Sequence, residues 1–125
     1  MLNSKSTGQI AEDVIAKRYL KSMGWKLLAR NYNKPWGEID IVAHKGKKVI
    51  FIEVKALNSK HKDNFKPEDH FTASKKEKLI KACASYLTEN GYPEDVEYSI
   101  DLAAVEIDHN TRNAHVRYYK NAISY

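Results

Sequence analysis

The chain reads as a single α/β domain over residues 1–125, with a mixed central β-sheet of about five strands flanked by helices. Three observations predict this. Two segments carry apolar residues at helical spacing behind capping residues, other segments carry strand-type apolar runs, and the order is helix, three strands, helix, further strands. At 125 residues the chain can close one core without disulfides, and its single cysteine, Cys83, cannot form an internal one. No apolar run approaches the roughly 20 residues of a membrane span, so no membrane partner is expected. Met1-Leu2-Asn3-Ser4-Lys5-Ser6 lacks the apolar stretch of a secretory signal, which makes the cytoplasm the expected compartment.

The first helix is expected from about Gly8 to Met23, with Ser6 and Gln9 spaced as a capping box. On a 100° wheel Ala11, Ile15, Ala16, Tyr19, Leu20 and Met23 share a face with Glu12 in its middle, while Asp13, Lys17, Arg18 and Lys21 take the other side. Trp25 to Tyr32, Glu38 to His44 and Lys48 to Leu57 read as strands. Gly46-Lys47 between the last two suits a Gly-first type II′ turn, so opposed residues pair with Asp40 directly across from Glu53. Alternation then puts Lys55 on the face of Glu53 and Glu38 on that of Asp40, with Ile39, Ile41, Ile52 and Val54 pointing the other way.

Asn58 to His70, polar and carrying Pro67, reads as a loop beside this hairpin. A second helix follows from Ser74 to Asn90, with Ser74 and Glu77 as its capping box and an apolar stripe of Leu79, Ile80, Cys83, Tyr86 and Leu87. Gly91 and Pro93 end it. Val96 to Asp108 and Ala114 to Tyr119 complete the strands.

Charge is polarised along the chain. The net charge is +5, and eleven lysines fall between His44 and Lys81 against five acids. Such a patch attracts polyanions through counterion release, which makes nucleic acid the partner to expect, with Lys45, Lys47, Lys60, Lys62, Lys75 and Lys78 as candidate contacts. Trp36, beside Pro35, is either a core-edge aromatic or a platform on which a base stacks.

The chemistry-bearing stretch is Gly37-Glu38-Ile39-Asp40-Ile41 with Phe51-Ile52-Glu53-Val54-Lys55. Carboxylates inside apolar strands are costly without a compensating charge, and the economical compensator is a divalent cation. Mg²⁺ or Mn²⁺ takes hard oxygen ligands, which Asp40, Glu53 and the carbonyl of Val54 can supply, with Glu12 approaching from the helix. Lys55 can orient a water, stabilise a phosphorane-like transition state or act as a base. Cross-strand ion pairs on a surface hairpin are the alternative reading of the same residues. The five histidines offer no close zinc-type pair, and Cys83 sits on an apolar stripe.

The spacing of Asp40 from Glu53-Val54-Lys55 resembles the core of the PD-(D/E)XK nucleases, the restriction-endonuclease-like fold, and a helical glutamate like Glu12 resembles the archaeal Holliday-junction resolvases. A closer resemblance is to the bacterial YraN family of small predicted endonucleases. It is carried by Gly8 with Glu12, Tyr19-Leu20, Gly24-Trp25, Arg30-Asn31, the two blocks above, Pro67-Glu68, Lys75, Ala82, Tyr86-Leu87, Asp101 and Asn121-Ala122. The resemblance implies a metal-dependent endonuclease acting on DNA, branched or structured DNA included, with Asp40, Glu53, Lys55 and Glu12 as catalytic residues. Its alternative is a nucleic-acid-binding module of the same fold with little cleavage. Junction cleavage by two symmetric sites would make the protein a homodimer. The chain departs from the family at Leu57 and near Ser99, where arginines commonly stand.

Overall fold

Ser6 starts the first helix through the expected capping box: its hydroxyl accepts from the Gln9 N–H at 3.1 Å, and the Gln9 side chain accepts from the Ser6 N–H at 2.9 Å. The computed structural model describes residues 5–57, 64–108, 110–111 and 113–124. The helix has three parts: α1 (Thr7–Asp13), a π-helical segment (Val14–Tyr19) and α2 (Leu20–Met23). Within the π segment the Leu20 N–H reaches back five residues to the Ile15 carbonyl, and this wider turn shifts the phase of the buried stripe. Val14 therefore joins Ala11, Ile15, Ala16 and Leu20 in the core, while Met23, expected inside, is 41% exposed. Asp13, expected on the solvent side, is instead paired with Arg30.

The strands are β1 (Lys26–Lys34), β2 (Gly37–Lys45), β3 (Lys48–Leu57), β4 (Tyr98–Asp108) and β5 (Asn113–Ile123), joined in the order β1-β2-β3-β4-β5. β3 and β4 are parallel and the other pairs antiparallel, so the sheet is mixed, as expected. The parallel pair needs a crossover, and α4 (Ala73–Glu89), preceded by the one-turn α3 (Pro67–His70), provides it. α3 lies inside the segment expected to be loop; Pro67 opens it at the position where proline's missing N–H costs nothing. α4 begins earlier than expected because Thr72, not Ser74, caps it, accepting from the Lys75 N–H at 3.2 Å. β5 runs beyond Tyr119 through an irregularity at Asn121, whose φ is +52°.

The sheet is covered on both faces. The first helix packs Ile15 and Leu20 against Ile41, Ile50, Ile52 and Val105, while α4 packs Leu79, Cys83 and Leu87 against Val42, Phe51, Ile100 and Leu102. Within the β2–β3 hairpin the expected register holds, from Lys45↔Lys48 to Ile41↔Ile52. Gly46 takes φ +58° with no positive φ at Lys47, which fits the Gly-first turn.

One expectation about faces fails. Ile41 and Ala43 point to the first helix, but Ile39 packs with the α4 layer, so β2 changes face at Asp40. β1 irregularity matches it: Asn31, between Arg30↔Ile41 and Tyr32↔Ile39 and hence opposite Asp40, has φ +53°. A left-handed residue inside a strand breaks the two-residue alternation on which the expectation rested.

Gly37 sets how closely α4 approaches the start of β2. A Cβ there would lie 2.4 Å from the Lys78 carbonyl oxygen and 3.3 Å from the Ala82 Cβ, too near for backbone to tolerate. Gly37→Ala is expected to lower stability by about 1–3 kcal/mol through overpacking. Urea unfolding should show a reduced midpoint at unchanged slope; an unaltered midpoint would mean that α4 yields freely.

Candidate active site

Ladder pairing between β2 and β3 ends at Ile41↔Ile52, and beyond it β2 continues beside β1 while β3 continues beside β4. Asp40 and Glu53 stand at this point of divergence. In place of a ladder bond, the Val54 N–H donates to Asp40 Oδ2 at 2.8 Å. The Glu53 side chain also bears on Asp40, and a proton on Asp40 lets the two carboxyl groups hydrogen-bond rather than repel. Burial first, then the adjoining Glu53 carboxyl, pushes the Asp40 pKa from 3.8 up to about 8, against the lowering effect of the Val54 N–H.

Glu12 approaches from α1, with its carboxylate 3.8 Å from the Arg30 guanidinium and a hydrogen bond from the Asn31 side chain. Its pKa is raised by burial and by the charge of Asp40, effects that Arg30 and Asn31 oppose. Arg30 also holds Asp13 at 2.9 Å, and Lys5 pairs with the same carboxylate, which together keep Asp13 at a pKa of about 2. Glu12 therefore faces Asp40 electrostatically but is tied to β1. Among the described residues, no three His, Cys, Asp or Glu side chains are close enough to ligate one ion together.

His70, the last residue of α3, is the site neighbour that sequence reasoning missed. Its Nε2 lies 3.6 Å from Glu53 Oε2 and is buried without a hydrogen bond. Burial, followed by the charges of Lys75 and Lys55, lowers its pKa, so it stands neutral beside the carboxyl pair. The available signal was Pro67-Glu68-Asp69, a proline and two acids at a helix start.

Lys55 is exposed and lines a cavity of about 510 Å³ with His70 and Lys75. Glu53 and Glu38 border a second cavity of about 460 Å³, lined also by Lys34, Trp36, Lys75 and Lys78. Lys75 lines both, so the two openings adjoin at its side chain. Of the lysines singled out as nucleic-acid contacts, Lys75 and Lys78 lie here. Lys45 and Lys47 do not: they sit at the β2–β3 turn, some five residues or about 16 Å along the strand from Asp40, where Lys47 lines a separate cavity. Lys60 and Lys62 lie outside the described residues. Leu57, where the resemblance leads to the expectation of an arginine, is buried.

Asp40 and Glu53 offer two hard oxygen donors whose mutual repulsion is relieved by a proton, and a divalent cation relieves it as well. The residues present thus fit Mg²⁺ or Mn²⁺. Asp101 is different. It is 2% exposed, accepts from Tyr118 Oη at 2.6 Å and from the Asn121 N–H at 2.9 Å, and so is satisfied within the fold.

The raised Asp40 pKa has a stability consequence. Between about pH 4 and pH 8 the folded protein keeps a proton that the unfolded chain has released, so the metal-free protein loses stability as pH rises through that window. His70, whose pKa is lowered, contributes the opposite slope near and below its ordinary value of 6.5. Asp40→Asn should remove the Asp40 slope and, at pH 8, stabilise the metal-free fold by on the order of a few kcal/mol. Urea unfolding of both proteins at pH 5 and pH 8 in EDTA measures it; parallel pH dependences would show that Asp40 is ionised throughout.

Comparison with known proteins agrees with the resemblance. Residues 11–105 match the model of "Uncharacterised protein family UPF0102". Relatives include UPF0102 proteins of Chloroherpeton thalassium, 36% identical over 108 residues (86% of this chain and 80% of that protein), and Moorella thermoacetica, 34% identical over 121 residues (97% and 98%). A UPF0102 protein of Carboxydothermus hydrogenoformans is 32% identical over 124 residues, 99% of this chain and all of that protein. The match runs from within the first helix to within β4, with Glu12, Asp40, Glu53 and Lys55 inside it: this chain belongs to the UPF0102, or YraN, family.

Proposed function

We propose that this protein is a metal-dependent endonuclease hydrolysing phosphodiester bonds in DNA, branched or structured DNA included. The observation that carries the reading is the Asp40–Glu53 carboxyl pair, held at the point where β2 and β3 part, with Glu53 bordering a cavity lined by Lys34, Lys75 and Lys78. Asp40 and Glu53 would hold Mg²⁺ or Mn²⁺, with the Val54 carbonyl as a further oxygen. When bound, such an ion acidifies a coordinated water and offsets charge on the phosphate oxygens. Glu12, paired with Arg30 and outside any three-ligand cluster among the described residues, would act through a water rather than as a direct ligand of the same ion.

Lys55 extends from the strand that carries Glu53 and is exposed to the cavity, so its ammonium can meet a phosphate or hold the attacking water. Lys75 and Lys78 would position the backbone of the DNA across Glu53. No helix among the described residues is long and apolar enough to cross a membrane. Buried Leu57 favours a second reading, a DNA-binding module with little turnover, because the phosphate contact of an arginine is lost there.

Purified protein incubated with linear, nicked, single-stranded and four-way-junction DNA separates the two. Cleavage is expected with Mg²⁺ or Mn²⁺, none with EDTA, and rates on the order of 100-fold lower for Asp40→Ala and Lys55→Ala. Cleavage that survives EDTA or Asp40→Ala would sink the metal-nuclease reading, and binding without cleavage on every substrate would establish the binding module. Independently of turnover, about 10 mM Mg²⁺ should raise the unfolding midpoint of the wild type but not of Asp40→Ala.

A further inference from the structure

Trp36 is a large aromatic in an exposed turn, and its surroundings give it work that a core-edge residue would not need. It occupies the two-residue turn between β1 and β2, where Lys34↔Gly37 closes the hairpin, and it is 37% exposed. The other tryptophan, Trp25, is 6% exposed and packed against Tyr19 and Tyr118. The Trp36 ring is nevertheless held in place: its Nε1–H donates to Ser85 Oγ at 2.9 Å, and Ser85 Oγ–H in turn donates to the Lys81 carbonyl at 3.1 Å. An exposed indole whose only polar atom is already bound to α4 presents apolar surface in a fixed orientation.

That surface lines the same cavity as Glu53, Lys75 and Lys78. Lys34 borders the cavity as well, and the Lys81 ammonium lies 6.0 Å from the indole centroid. Cations track a phosphate backbone while an aromatic face takes a base, which is the combination that binds single-stranded nucleic acid. A base within a duplex is stacked on both faces and cannot reach such a platform.

We infer that Trp36 forms a nucleobase-stacking subsite that selects DNA carrying an unpaired base next to a phosphate held by Lys75 and Lys78. The inference rests on the nuclease or DNA-binding reading for the polyanion, but it concerns recognition and is independent of turnover. Stacking against Trp36 would make forked or gapped DNA, rather than continuous duplex, the preferred ligand, with charge supplying the remainder.

Binding measured in EDTA, where no cleavage occurs, tests this with two fluorescein-labelled oligonucleotides: a blunt duplex and the same duplex ending in unpaired thymines. The wild type should prefer the forked DNA. Trp36→Ala should weaken forked binding about 5- to 150-fold and leave blunt-duplex binding nearly unchanged, while Trp36→Phe keeps most of the preference. Forked DNA should quench the intrinsic fluorescence of the wild type, and Trp36→Phe should abolish that quenching while still binding. Equal losses on both DNAs, an unchanged forked-to-blunt ratio in Trp36→Ala, or quenching that persists in Trp36→Phe would each overturn the subsite. A wild type that binds neither DNA would overturn it too, whereas metal-dependent cleavage lost in Asp40→Ala together with an unchanged forked-to-blunt binding ratio in Trp36→Ala would overturn the subsite alone.

Discussion

Everything near the site depends on how the fold places a carboxyl group where two strands separate. Parting β2 from β3 removes ladder partners, and a backbone N–H left without one inside a sheet costs about as much as a lost hydrogen bond. Asp40 supplies the missing acceptor to Val54, which ties the strands together just as their backbones leave each other. The carboxyl is thereby drawn into a half-buried position against Glu53, and two acids so placed cannot both ionise at low cost. The same bond that holds the sheet together creates the electrostatic demand that a cation or proton must meet.

Surrounding features accommodate this arrangement. Asn31, opposite Asp40 on β1, takes a left-handed conformation at which both strands exchange faces, and its side chain reaches Glu12 on the first helix. Backbone strain of this kind persists only where neighbours over-determine it. On the other layer, the absent side chain of Gly37 lets α4 close onto the hairpin, and that approach brings Lys75 and Lys78 to the cavity bordered by Glu53. The sheet also holds a fully buried carboxylate, Asp101, whose two donors leave it no such demand. Asp40 and Asp101 are both acids in strands; their neighbours satisfy the charge of Asp101 and leave that of Asp40 unmet.

The sequence by itself determined the periodic and local features. Helical spacing, the Ser6–Gln9 box, the Gly46 turn and the apolar runs of β2 and β3 are dictated by nearest-neighbour chemistry, and with them came the hairpin register that ends at Ile41↔Ile52, one step before Asp40 and Glu53. Strand existence was legible and strand ends were not, because polar residues such as Lys120 and Asn121 continue β5 through an irregularity that supports Asp101. The cap of α4 passed from Ser74 to Thr72 since both hydroxyls suit the role and only the chain's path chooses between them.

Only the tertiary structure decided the rest, and in each case through contacts distant in sequence. The π-helical turn put Val14 inside and Met23 out; the paired irregularities at Asn31 and Asp40 turned Ile39 toward α4. Packing of α3 brought His70 to Glu53 from a segment that carries no periodic signal, and bonding to Ser85 fixed the indole of Trp36, which sequence left between two roles. Charge density along the chain pointed to many lysines alike, yet the length of β2 carries Lys45 and Lys47 away from the carboxyl pair while α4 delivers Lys75 and Lys78 to it. Local chemistry selects which residues can form a site, and the path of the chain through space selects which of them meet.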